Sequence, residues 1–522
     1  MQVIEADIAI IGGGLGACAA ALASARLGRR VVLTEETGWI GGQLTNQAVP
    51  PDEHPWIEEY GATASYRALR DGIREYYRRH LPLTPAARAD RQLNPGNGWV
   101  SKLCHDPRIA LAVLYEMMAP HRVSGCLRVL RPYRLRETWT HGDRIAGAVM
   151  RDQENDRDLA IVAQYFIDGT PFGELLEKAG VEHVIGAEAR SETGEPHASE
   201  YANPSNQQAI TMCFAVEHLE GEDHTIDRPS QYAIWRECQP PGWPGRLLQW
   251  TTPRPETREP ITRMLFEAPD GKPWWEFRRI LDRRMFEPGF ARGDISVVNW
   301  PQNDYWFGAL VGVSAAESAR HIEAAHELSL SLLYWLQTEA PRPDGGTGYP
   351  GLRLRGDITG NTIHGLALAP YVRETRRIRA ELTVLEQHIA HPLRPDGPEL
   401  FPDSVGIGCY RIDLHPSASG APYLDLGCWP FQIPLGALIP VRVENLLPGG
   451  KNLGVTHITN GAFRVHPVEW NVGESAGLLA AFCLDRKTTP RAVRDRPNLL
   501  ADFQALLRRE GIELSWPSLT PL

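Results

Sequence analysis

Hydrophobic and polar positions change period along this chain, and each change marks an element. Asp7 to Ile11 is a short apolar run, the pattern of a buried strand. Gly12, Gly13 and Gly14 interrupt it. Small apolar residues up to Leu27 then read as a buried helix that Gly28 can cap. Arg30 to Thr34 reads as a second buried strand. Tyr66–Arg79 predicts a basic amphipathic helix whose charges face solvent. Asp106-Pro107 opens another helix, which Ile109 to Met118 continue with apolar residues at helical spacing. Leu127–Arg134, Ile145–Arg151 and Leu159–Phe166 read as strands, with a turn at His141-Gly142-Asp143. Further on, Ser314–Leu336 predicts a long helix and Tyr371–His388 a strongly charged one. Ser404–Pro416 ends in alternating apolar and polar positions, as a half-buried strand does. Val443–Leu447 and Leu453–His457 read as strands. A helix of small residues follows Gly473, and Leu499–Glu510 is helix-like. Glu188–Ala209 is polar and loop-like. Arg236–Pro301 is dense in proline, tryptophan and arginine, and aromatic residues this frequent belong in a core.

Chemistry enters at the first break. Gly12, Gly14 and Ala17 fit G-x-G-x-x-G/A, the dinucleotide-binding pattern. Gly12 permits the tight strand-to-helix turn, Gly14 lets backbone approach a pyrophosphate, and Ala17 lets the helix sit close on the strand. The helix start at Leu15 and Gly16 then offers N–H groups and a positive dipole end to phosphate. Glu35 closes the second strand about 20 residues later, where an acid holds a ribose hydroxyl. Ile8 to Leu27 is long enough to span a bilayer. The consecutive glycines, with Glu5 and Asp7 ahead of them, argue against a span or a signal peptide.

Composition narrows the classes. At 522 residues, more than one lobe is expected. The chain is 43% hydrophobic and 23% charged, ordinary for a globular protein. A formal charge of −10 works against nucleic acid or an anionic membrane as partner. Eight cysteines with no C-x-x-C give neither a disulfide framework nor a zinc motif, and a reducing cytoplasm is the expectation. His321 and His326 are five apart and there is no H-E-x-x-H, so no metal site is expected. Gly449-Gly450-Lys451 lacks the rest of a P-loop. Cys104 and His105 could line a pocket or pack beneath the cap that follows them.

Gly12–Ala17, Glu35 and the Gly41-Gly42-Gln43-Leu44-Thr45 turn together resemble a bacterial family of FAD-dependent oxidoreductases, and the likeness runs to about residue 485. The resemblance implies an α/β fold: a discontinuous FAD-binding Rossmann domain of the glutathione-reductase type with a mixed α/β substrate domain. The FAD-binding part is expected at 1–215 and 430–485, the substrate domain at 216–429, and a tail at 486–522. The cofactor-binding set is Gly12, Gly14, Leu15, Gly16, Glu35, Glu36, Gly41, Gly42, Gln43, Asp168, Asn471 and Gly473. Asp168 has a rival reading as a turn former. In the resembled family the helix after Arg464 points its N-terminus at the flavin, where reduction gathers negative charge.

The strand carrying Tyr410, Ile412, Asp413 and His415 matches the family's pattern. It makes His415 the first candidate for the base and His466 the second. Arg373 would orient substrate, and Arg464 would stabilise the reduced ring. Asn299–Trp306 could line a polar pocket. The expected reaction removes a hydride from a small polar metabolite to flavin N5, with an oligomer possible. A flavin monooxygenase and a non-catalytic flavin-binding protein are the alternatives.

Overall fold

The computed structural model describes all 522 residues. β1 (Gln2–Ile11) sits in the middle of a seven-stranded sheet. It pairs in parallel with β2 (Val31–Thr34) on one side and β6 (Arg157–Asp168) on the other. β3 (Leu127–Leu130) extends the parallel part beyond β2, and Leu446–Pro448 adds a parallel strand beside the end of β6. β4 (Tyr133–His141) and β5 (Arg144–Asp152) form an antiparallel meander with β6, and the Leu127–Arg134 run read as one strand is split between β3 and β4. The meander is continuous with the main sheet, because the twelve residues of β6 serve both partners.

α1 (Leu15–Arg26) crosses from β1 to β2 and is buried along nearly its whole length. The His466–Arg486 helix packs directly against it. Gly473 makes this possible: a side chain there would run into the backbone of Gly16. At Gly477 a Cβ would lie 2.5 Å from Ala20 O. Two helices from opposite ends of the chain thus meet backbone to backbone, beneath the glycine turn.

A second core gathers Trp235, Trp250, Trp274, Trp300 and Trp335 around the Ala315–Thr338 helix, which Ser314 caps. Its sheets join Phe214–His218 to Ile295–Val298, and Ile210–Thr211 to Asp304–Tyr305 and Tyr371–Val372. This core draws on Ala209 to Val372. Val384, Val405, Ile412 and Cys428, placed with the substrate lobe by sequence, pack in the first core. Phe503 and Leu507 of the tail pack there too.

Three expectations are corrected. Tyr371–His388 is not a helix but short strands at Tyr371–Val372 and Arg377–Ile378 with a charged turn between. Its charges point to partners on different elements, which one helical face cannot reach. Leu453–His457 is not a strand. Thr456 instead caps a helix at His457–Phe463. The Ala64–His80 helix exists, but Arg70 and Arg74 are buried against Glu53 and Glu58 rather than solvated.

Candidate functional site

The turn after β1 opens onto a cavity of about 640 Å³. Gly12 has φ +89°, and a side chain there would strike the Gly169–Thr170 backbone. Its N–H donates to Thr34 Oγ1 (3.1 Å), and Gly13 N–H donates to Glu35 Oε2 (3.0 Å). A Cβ on Gly14 would lie 2.9 Å from Gly169 O. The floor of the cavity is therefore bare backbone.

Glu35 stands at the end of β2, buried, and its Oε1 also accepts from Thr37 N (2.7 Å) and Asn46 Nδ2 (3.3 Å). Burial pushes its pKa up to about 7, against the hydrogen bonds from Thr37 and Gly13. Asp168 is equally buried. Its carboxylate accepts from Thr170 N (3.0 Å), Thr170 Oγ1 (2.6 Å) and Leu176 N (3.3 Å), so it holds its own turn while lining the cavity. Burial lifts it to about 7 as well.

Of the expected cofactor residues, Gly12, Gly14, Glu35, Glu36, Gly42, Gln43 and Asp168 line this cavity. Leu15, Gly16, Gly41, Asn471 and Gly473 stand behind the wall. Gly41 takes φ +108° in the turn. Asn471 Oδ1 accepts from Ile407 N (3.1 Å), so its contacts are internal. The sequence reading missed Asn46, Gln47, Gly449, Lys451, Asn452 and Glu469, which are also on the lining.

Four buried amide oxygens on this lining have no partner: those of Gln43, Asn46, Gln47 and Asn452. Buried polar atoms are almost always hydrogen-bonded, so these await a polar guest. With a glycine floor at one end and an acid beside it, the residues fit a dinucleotide. Glu35 would hold a ribose, and the side-chain-free Gly12–Gly14 turn would let a pyrophosphate approach the backbone.

Behind the cavity lies a buried ionic network. Arg373 donates to Asp304 Oδ1 (2.9 Å), Thr211 Oγ1 (3.0 Å) and Ala209 O (2.8 Å). The other Asp304 oxygen bonds His415 Nδ1 (2.6 Å). Arg464 donates to Asp413 Oδ2 (2.6 Å) and the Tyr371 hydroxyl (2.8 Å), and its carbonyl accepts from Gln43 Nε2 (3.1 Å). Asp413 lies 3.6 Å from His415 Nε2. Asp304 was not singled out from the sequence, although the aromatic cluster around it was.

His415 does not line the large cavity. It lines a smaller one of about 190 Å³, at 18% side-chain exposure. His466 is fully buried. Its Nδ1 accepts from Asp52 N (3.1 Å) and its Nε2 bonds Val49 O (3.2 Å). Burial drives its pKa down to about 3. With both nitrogens engaged by backbone, it has none to offer a substrate. Cys104 and His105 are buried beneath the helix cap. Lys451 does line the large cavity. Its Nζ donates to Val372 O (2.5 Å), and burial lowers its pKa from the ordinary value.

The sequence family described as FAD dependent oxidoreductase matches residues 7–507. Comparison with curated proteins gives no match. Solved structures give distant likenesses. An L-proline dehydrogenase from P. horikoshii is 15% identical over 36% of this chain and 24% of its own, with a TM-score of 0.18. This chain therefore spans about a quarter of that protein. A geranylgeranyl bacteriochlorophyll reductase-like protein from Thermoplasma acidophilum is 11% identical over 98% of this chain and 85% of its own, with a TM-score of 0.35. A flavin-dependent monooxygenase solved with FAD and substrate is 15% identical over 42% and 36%, with a TM-score of 0.25. Matched over nearly its whole length, the chain belongs to the FAD-dependent oxidoreductases, and FAD is its cofactor.

Proposed function

We propose that this enzyme oxidises a small polar metabolite, with His415 taking the proton. Bound FAD supplies the two-electron acceptor for the hydride. The Asp304–His415 pair carries the reading. A buried carboxylate on Nδ1 fixes the imidazole tautomer and leaves Nε2, 3.6 Å from Asp413 Oδ2, as the nitrogen that would take the proton. Asp304 in turn is held by Arg373 and Thr211, so Arg373 serves here as a positioning residue rather than a substrate clamp. Arg464 is likewise committed to Asp413. Gln43 would hold FAD beside the side-chain-free Gly12–Gly14 turn, with Glu35 on its ribose. No helix is long and apolar enough to cross a membrane. All eight cysteines are free, which supports a reducing compartment. His415→Ala is expected to abolish substrate-driven bleaching of the bound flavin under anaerobic conditions while FAD content stays intact. Full bleaching in that variant overturns the assignment.

A further inference from the structure

Besides His415, the smaller cavity is lined by polar groups that the proton transfer leaves unused. His457, the first residue of the His457–Phe463 helix, lines it together with His415. His457 Nδ1 lies 2.9 Å from both oxygens of Glu374. Glu374 is itself held by Arg377 and by the Gln208 N–H (3.2 Å). Each histidine therefore has a buried carboxylate on Nδ1; Nε2 of His457 makes no hydrogen bond, and Nε2 of His415 has only Asp413 Oδ2 near it, at 3.6 Å. Two further groups lack partners: Asn206 Oδ1 and the Tyr423 hydroxyl. Both residues line the cavity, at 6% and 3% exposure. The Tyr423 ring lies 5.4 Å from that of His415.

The buried charges of this pocket are already answered, and the Arg258 that also lines it is exposed to solvent. Glu188 pairs with Arg377 (2.9 Å), and Glu195 accepts from Thr456 Oγ1 (2.7 Å) and Glu386 N (2.8 Å). No buried cation is left over for an anionic guest. What remains are neutral donors and acceptors set around a volume well under the roughly 300 Å³ of sites for drug-sized ligands.

We propose that this cavity is the substrate pocket, that it takes an uncharged molecule bearing several hydroxyl groups, and that His457 bonds one hydroxyl while His415 serves another. The inference rests on the reading of His415 as base. The Tyr371–Arg377 segment touches both sites: Thr375 lines the larger cavity, while Glu374 and Arg373 reach the two histidines of the smaller one, Arg373 through Asp304.

The test is calorimetric titration of the FAD-loaded enzyme with myo-inositol, D-sorbitol and D-gluconate, with the flavin spectrum recorded alongside. At least one of the two polyols should bind, perturb the spectrum, and bind more tightly than gluconate. Tyr423→Phe removes a single oxygen and should weaken that binding about tenfold, the worth of one hydrogen bond to a group otherwise unsatisfied. His457→Asn should do the same with FAD content unchanged. Failure of both polyols to bind overturns the proposal. So does tighter binding of gluconate, binding that leaves the flavin spectrum unmoved, or polyol affinity unchanged in both variants. If a polyol bleaches the flavin and His415→Ala stops this, yet both pocket variants bind it normally, the pocket is wrong and the base is right.

Discussion

Glu35 is a carboxylate kept from water, and pH acts on it in two ways. Its pKa of about 7 lies above the ordinary 4.5, so the folded apoprotein holds a proton there that the unfolded chain has released. In that window stability falls as pH rises, because the folded state binds more protons. FAD works the other way. A ribose hydroxyl donating to Oε1 or Oε2 favours the ionised form, so FAD affinity should climb as pH passes through about 7. Fluorescence titration of apoprotein with FAD should show that climb, and Glu35→Gln should bind more weakly with a flat profile. A climb that persists in Glu35→Gln contradicts the role. Lys451 is the other decisive residue. Arg373 and Arg464 are both committed to carboxylates, whereas Lys451 Nζ meets only Val372 O and the Tyr371 ring at 6.0 Å. As a buried cation on the cavity lining with no ion pair, it would favour the negative charge FAD gains on reduction. Lys451→Met should lower the FAD reduction potential, by about 30 mV for each tenfold loss of preference for the reduced form. An unchanged potential, measured against a reference dye, removes it. From sequence this lysine was only the end of a failed P-loop, since its burial depends on Tyr371 and Val372.

The Tyr371–His388 segment shows why charge patterns mislead. Arginines and glutamates at three- and four-residue spacing read as a solvated helix. Here Arg373 goes to Asp304, Glu374 to His457 and Arg377 to Glu188, three different elements, and extended backbone is what lets them diverge. Sequence periodicity carries no trace of such distant partners. The same holds for Arg70 and Arg74, whose partners Glu53 and Glu58 lie in a preceding loop. Arg377 has no exposed side-chain surface and satisfies Glu374 and Glu188 together. Arg377→Met should therefore cost about 3–5 kcal/mol, read in denaturant unfolding, because two buried carboxylates lose their cation. A loss under about 1 kcal/mol would mean the pairs behave as if solvated.

Across the whole molecule, what sequence revealed was what depends on local backbone. The strand, glycine turn, helix, strand and closing acid appear as read, because each follows from steric demands within about thirty residues. A helix of small residues after Gly473 was legible too, but that the His466–Arg486 helix packs on α1 was not. Less visible was where long connections return. Val384 to Cys428 and the tail fill the first core, and nothing in their own patterns says which lobe they join. The ionic network is the meeting of segments 51 or more residues apart, 111 for Asp304 and His415. It was therefore legible only as isolated candidates.

Segments from both ends of the chain line one cavity, and the bare floor at Gly14 is where FAD would come close to backbone. Counting FAD released from purified, FAD-reconstituted protein tests this directly, with Gly14→Val beside the wild type. Stoichiometric FAD in the wild type and little in the folded variant is the expected result. A wild type that stays colourless, or a Gly14→Val protein as fully loaded as the wild type, would contradict it.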